Sequence, residues 1–135
     1  MHNLERLNDE FRAEGAVTYT MGKGRLPLAD LVCSQSSAAV SLHGGHVLSF
    51  QRSGERDLLW MSAQSWHEEG KPLRGGIPVC WPWFGAHPEN PDLPAHGFAR
   101  LARWEVIGAE ALGRQGSRLT LRLKDSAETR AMLNS

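Results

Sequence analysis

Residues 38–50, AAVSLHGGHVLSF, hold two short apolar runs, 38–42 and 46–50, on either side of Gly44 and Gly45. Runs of about five apolar and β-branched residues, separated by residues free to take positive φ, predict two antiparallel strands joined by a turn. The pattern extends in both directions. AVTYT (16–20) and DLVCS (30–34) precede it, punctuated by Gly22 and Gly24, and DLLWM (57–61) follows Ser53-Gly54. RWEVIGAE (103–110) and SRLTLRLK (117–124) resume the strand period, with Gly113 and Gln115-Gly116 as the turn between them. In the second of these, Leu119, Leu121 and Leu123 share one face. The class predicted is mostly β, an antiparallel β-sandwich.

Two helices flank the strands. Residues 3–14 place Leu4, Leu7 and Phe11 on one side of a short amphipathic helix. Asp125-Ser126-Ala127-Glu128 reads as a capping box, with Asp125 as the N-cap acid and Glu128 three residues on.

A chain of 135 residues suits one domain. Its 15 basic and 15 acidic side chains cancel, which argues against nucleic acid as a partner. No apolar run approaches the roughly 20 residues that span a bilayer, and the polar N-terminus lacks a signal-peptide core. Cys33 and Cys80 stand apart from any C-x-x-C pair, so two reduced thiols in a cytoplasmic protein are expected. His43 and His46 invite a metal reading, but no nearby carboxylate or cysteine completes a ligand set. A flexible Gly-Gly turn is the simpler expectation, with no metal.

Chemistry concentrates in residues 74–100, RGGIPVCWPWFGAHPENPDLPAHGFAR. Prolines at 78, 82, 88, 91 and 94 interrupt regular pairing, while Trp81, Trp83 and Phe84 argue for order. An ordered binding loop is predicted. Arg74-Gly75-Gly76 sets a guanidinium beside backbone that a ligand can approach closely, which suits an anion. A surface turn with a solvated arginine is the blander use of the same tripeptide. His96-Gly97-Phe98-Ala99-Arg100 offers an imidazole next to a flexible residue and an apolar anchor. Its plain alternative is a loop histidine bonded to a carbonyl. Of Trp81 and Trp83, one is expected as a core plug and one as a platform for the apolar face of a sugar. Trp60, Trp66 and Trp104 carry no signal beyond burial.

Taken together, RGGIPVCWPWFG, then LPAHGFAR, then Trp104 resemble the hexose-6-phosphate mutarotases. These are the glucose-6-phosphate 1-epimerase branch of the aldose 1-epimerase (galactose mutarotase-like) superfamily. LHGGHVLSF (42–50) and LLWMS (58–62) are similar to two further family strands, so about residues 30–130 can be followed. The resemblance implies a galactose mutarotase-like β-sandwich (a supersandwich), and interconversion of the α and β anomers of a hexose 6-phosphate without metal or cofactor. It makes His96 a catalytic residue near the sugar ring oxygen and places Arg74 and Arg100 on the phosphate. Trp83 and Phe98 complete the expected substrate-binding set.

Members of that family are roughly twice as long, and their glutamate base and second histidine lie in the part without a counterpart here. Residues 1–135 are therefore expected to form the N-terminal part of one mutarotase-like domain, weak or inactive alone. Two other roles stay open at this stage. One is a non-catalytic β module that binds a sugar phosphate, and the other is a fragment that dimerises through open sheet edges.

Overall fold

Strand pairing organises the chain in the computed structural model, which describes residues 4–134. Val17–Met21 (β1), Pro27–Val32 (β2), Ser36–Ser41 (β3) and His46–Arg52 (β4) form one antiparallel sheet in sequence order. Glu105–Ala111 (β5) and Ser117–Arg122 (β6) pair as a separate antiparallel hairpin. Leu4–Phe11 (α1) precedes the strands and Ala127–Leu133 (α2) follows them.

Register explains the core. Val17 lies opposite Leu31, Tyr19 opposite Ala29, and Ala29 opposite Val40, so these side chains share one face of the sheet. That face meets Val106 of β5 and Leu119 and Leu121 of β6, with Leu42 buried at the end of β3. The apolar layer between sheet and hairpin makes a partial antiparallel β-sandwich, as the alternation predicted. Ser117 Oγ adds a 2.8 Å hydrogen bond to the Val32 carbonyl between the two layers.

Helix α1 turns Leu4, Leu7 and Phe11 toward that core. Asn8 fixes its position: Nδ2 donates to the Tyr19 carbonyl at 3.0 Å, and Oδ1 accepts the Tyr19 N–H at 3.0 Å. The Tyr19 hydroxyl donates to the Phe11 carbonyl at 3.0 Å. Burial pushes the Tyr19 phenol up to about 12, so it stays a donor across the working pH range.

Three expectations are corrected. Residues 57–61 are not a strand; Met61 alone bridges to Gly75, and Leu58 and Trp60 face solvent. Asp57 bends this segment, because its Oδ1 accepts the Phe50 and Leu59 N–H groups at 3.1 and 2.8 Å. β2 begins at Pro27 instead of Asp30, since pairing of Pro27 with Met21 and of Leu28 with Ser41 outweighs proline's poor fit to sheets. Helix α2 is capped by Ser126 and Thr129, not Asp125 and Glu128. Ser126 Oγ accepts the Thr129 N–H at 3.1 Å and Thr129 Oγ1 accepts the Ser126 N–H at 2.8 Å, while Asp125 pairs with Arg130.

Candidate functional site

The predicted loop runs from Arg74 to Arg100 without a regular strand or helix until the short turn Ala99–Leu101. Its first limb, 74–77, is stitched between two neighbours. The Arg74 carbonyl accepts the Ser62 N–H at 2.9 Å, and the Gly76 N–H donates to the Trp60 carbonyl at 2.8 Å. The Ile77 N–H then reaches the Val47 carbonyl of β4 at 2.9 Å. Gly76 takes φ 61°, and a Cβ there would stand 2.2 Å from the Val47 oxygen. Only glycine fits that approach.

His43 and His46, read from sequence as flanking a flexible turn, are both buried and both engaged. His43 Nε2 lies 2.7 Å from the Lys71 carbonyl, and His46 Nε2 lies 2.6 Å from the Gly75 carbonyl. The turn between them is packed: Gly44 N–H donates to the Ala102 carbonyl at 2.7 Å, and Trp104 N–H to the Leu42 carbonyl at 2.8 Å. Burial holds the His46 imidazole below its ordinary value against the opposing bond to the Gly75 carbonyl, and the charges of His43 and Arg100 add smaller downward contributions. Among the described residues no group of three or more His, Cys, Asp or Glu is placed to hold a metal ion.

The loop's far limb closes on itself. Phe98, 4 % exposed, lies under Trp81 and Trp83, with ring centroids 5.7 and 6.1 Å away in edge-to-face contact. Trp83 is half-buried, and its indole N–H donates to the Pro94 carbonyl at 2.9 Å, joining the two arms. Phe98 and Ala99 N–H groups donate to the Trp81 carbonyl at 3.0 and 3.1 Å. Gly97 has φ 76°, and a Cβ on it would meet the Trp81 oxygen at 2.1 Å. Of the two tryptophans the more exposed is Trp81, and beyond it Phe84 is 80 % exposed. Trp60 and Trp66, expected to be buried, are exposed; Lys71 and Arg74 lie over the Trp66 ring at 5.1 and 5.5 Å.

His96 sits at the mouth of this loop with φ 65°, a conformation uncommon outside glycine. Two bonds to Gly85 hold it: its N–H donates to the Gly85 carbonyl at 2.8 Å, and its Nδ1 accepts the Gly85 N–H at 3.0 Å. An Nδ1 that accepts leaves the ring hydrogen on Nε2, so the free nitrogen is a donor. Phe84 meets the ring at 4.8 Å.

Arg100 donates from Nη2 to the Ala95 carbonyl at 3.1 Å. Its Nε is buried and has no hydrogen-bond partner among the described residues. Burial, then the neighbouring charge of Arg74, push the guanidinium below its ordinary value, with Cys80 opposing. The structure therefore brings the two arginines within electrostatic reach of each other and leaves donor capacity on Arg100 uncommitted. An anion beside Arg100 would favour its charged form.

Fold and loop together define a galactose mutarotase-like β-sandwich. The aldose 1-epimerase family model matches residues 31–130, and the chain belongs to that family. A protein of Escherichia coli (strain K12) named "Putative glucose-6-phosphate 1-epimerase" is 37 % identical over 117 residues, covering 84 % of this chain and 39 % of the relative. A protein of Salmonella typhimurium (strain LT2) with the same name is 38 % identical over 117 residues, with the same coverage. The crystal structure of a "putative mutarotase (YeaD)" from Salmonella typhimurium matches with a TM-score of 0.81 at 32 % identity, over 96 % of this chain and 44 % of that one. The chain thus spans about two fifths of the length of the relatives it matches.

Proposed function

We propose that this chain carries the phosphate-binding and sugar-orienting part of a hexose-6-phosphate mutarotase site. The observation that carries the reading is Arg100, whose buried Nε has no hydrogen-bond partner among the described residues, with the charge of Arg74 acting on the same guanidinium. A phosphate dianion accepts from two guanidiniums in a way a neutral sugar does not. His96, its Nδ1 occupied by Gly85, offers Nε2–H to the ring oxygen of a hexose anchored by that phosphate. Trp81 and Phe84 supply the exposed aromatic faces. Trp83 and Phe98, expected as substrate contacts, serve chiefly by holding the loop.

In mutarotation a base removes the O1 proton while an acid protonates O5; the ring opens, the C1–C2 bond rotates, and the ring closes on the other face. His96 orients O5 in that scheme. The glutamate base and second histidine implied by the resemblance lie outside the part of the family matched by residues 31–130, so the proposal for this part is binding and orientation of the sugar phosphate. The free thiols Cys33 and Cys80 suit a cytoplasmic setting, and no described helix is long and apolar enough to cross a membrane.

Titration calorimetry with glucose 6-phosphate, inorganic phosphate and glucose tests the proposal. Both phosphates should bind and glucose should bind far more weakly. Arg74→Ala and Arg100→Ala should each weaken phosphate binding by roughly 10–100-fold, as expected for hydrogen bonds to a charged group. Equal affinity for glucose and glucose 6-phosphate, or no effect of either substitution, would overturn it. NMR of freshly dissolved α-glucose 6-phosphate separates binding from turnover.

A further inference from the structure

The geometry points to His46, seconded by His43, as a positioning residue that holds the Arg74 limb where an anion can use it. The inference rests on the anion-site reading above but is measured separately from it. Arg74 lies outside any regular strand, and its limb is held by isolated bonds: its N–H donates to Ser65 Oγ at 2.9 Å, its carbonyl accepts the Ser62 N–H, and Met61 and Gly75 form a single bridge. The two histidines add a side-chain bond on either side of it. His43 bonds to the Lys71 carbonyl three residues before Arg74, at 2.7 Å, and His46 bonds to the Gly75 carbonyl one residue after, at 2.6 Å.

A carbonyl only accepts, so each Nε2 carries the hydrogen in these bonds. His46 is 0 % exposed, and its remaining nitrogen, Nδ1, is buried without a hydrogen-bond partner among the described residues. Leaving a buried nitrogen unpaired is unfavourable, and a leucine would fill similar space without it. A leucine would also leave the Gly75 carbonyl without this donor. What the imidazole contributes that an apolar residue cannot is the bond to Gly75. The fit is tight on the other side too: a Cβ on Gly76 would stand 3.2 Å from His46 Nε2.

Two variants of opposite reach decide the matter. His46→Gln places an amide near the position of Nε2 and can still donate to Gly75, whereas His46→Asn is too short. Amide hydrogen exchange at Gly76 and Ile77, which bond to Trp60 and Val47, reads the limb without any ligand. His46→Asn should speed exchange there at least about tenfold relative to strand amides of β1 and β2, and weaken inorganic phosphate binding about tenfold. His46→Gln should restore most of both. Normal exchange in His46→Asn would overturn the proposal, and so would failure of His46→Gln to restore it, since shape and not the bond would then hold the limb. Should the unmodified chain bind no phosphate, the anion reading falls, and the exchange data still decide whether His46 is the latch. If His46→Asn does not fold, His43→Gln against His43→Asn gives the same contrast at Lys71.

Discussion

The sheet from Val17 to Arg52 and the loop from Arg74 to Arg100 satisfy their backbones by opposite means. In the sheet, neighbouring strands pair residue against residue, with one register shift between Ala39 and Val40. In the loop, support comes from single bonds to separate partners: the His46 imidazole on the Gly75 carbonyl, an indole on Pro94, the Gly85–His96 pair. A ladder spreads its load over many equivalent bonds, so one side chain seldom matters to backbone direction. A segment held by single bonds depends on each of them, and it can aim a functional group that a ladder cannot. Stability and site geometry should therefore respond to different residues.

The largest effect separating the two is expected from Leu42→Ala, which empties a fully buried position in the sandwich core. A loss of about 2–5 kcal/mol in urea unfolding is expected, with phosphate affinity of the folded fraction unchanged. Altered affinity at full folding would break the separation. Gly97→Ala comes next. Its positive φ and the Trp81 oxygen 2.1 Å from the added carbon should cost about 2–4 kcal/mol. NMR shifts should move around Trp81 and His96 while those of β1–β3 stay in place.

Trp83→Phe keeps a ring against Phe98 but removes the donor to Pro94. A cost near 1 kcal/mol is expected in thermal unfolding, together with faster exchange at Gly85 and His96; unaltered exchange would show that the ring alone joins the arms. The smallest effect is one of pH. Burial holds His46 below its ordinary value, so as pH falls the unfolded chain takes up that proton first. The contribution of His46 is complete above about pH 6.5 and is lost as pH falls below it. Urea midpoints at about pH 7.5 and about pH 5.5 should differ less in His46→Gln than in the parent chain. His67, also shifted downward by burial, is present in both and cancels.

Where structure follows a local period, the sequence was readable. β1, β3, β4, β5 and β6 each overlap the run that predicted them, because alternation reflects which face is buried. Residues 57–61 misled because an apolar run has the same composition whether it joins a sheet or, like Trp60 at 71 % exposure, faces outward. The cap of α2 lies one residue later than the local pattern implies, because Asp125 and Ser126 are both good cap residues and Thr129 decides between them. In the loop, residue types announced an anion and a histidine. Their arrangement depends on contacts such as His46 to Gly75, 29 positions apart, which no local pattern records.

Helix α1 has eight described residues, well short of the roughly 12–15 at which an isolated helix becomes even marginal in water. It persists because Asn8 and Phe11 are bonded to Tyr19, a residue of the sheet's first strand. The helix is in effect a gauge of the sheet. Its amides should lose protection in step with those of β1, so the N-terminal segment reports, from outside, whether the sandwich beneath it is closed.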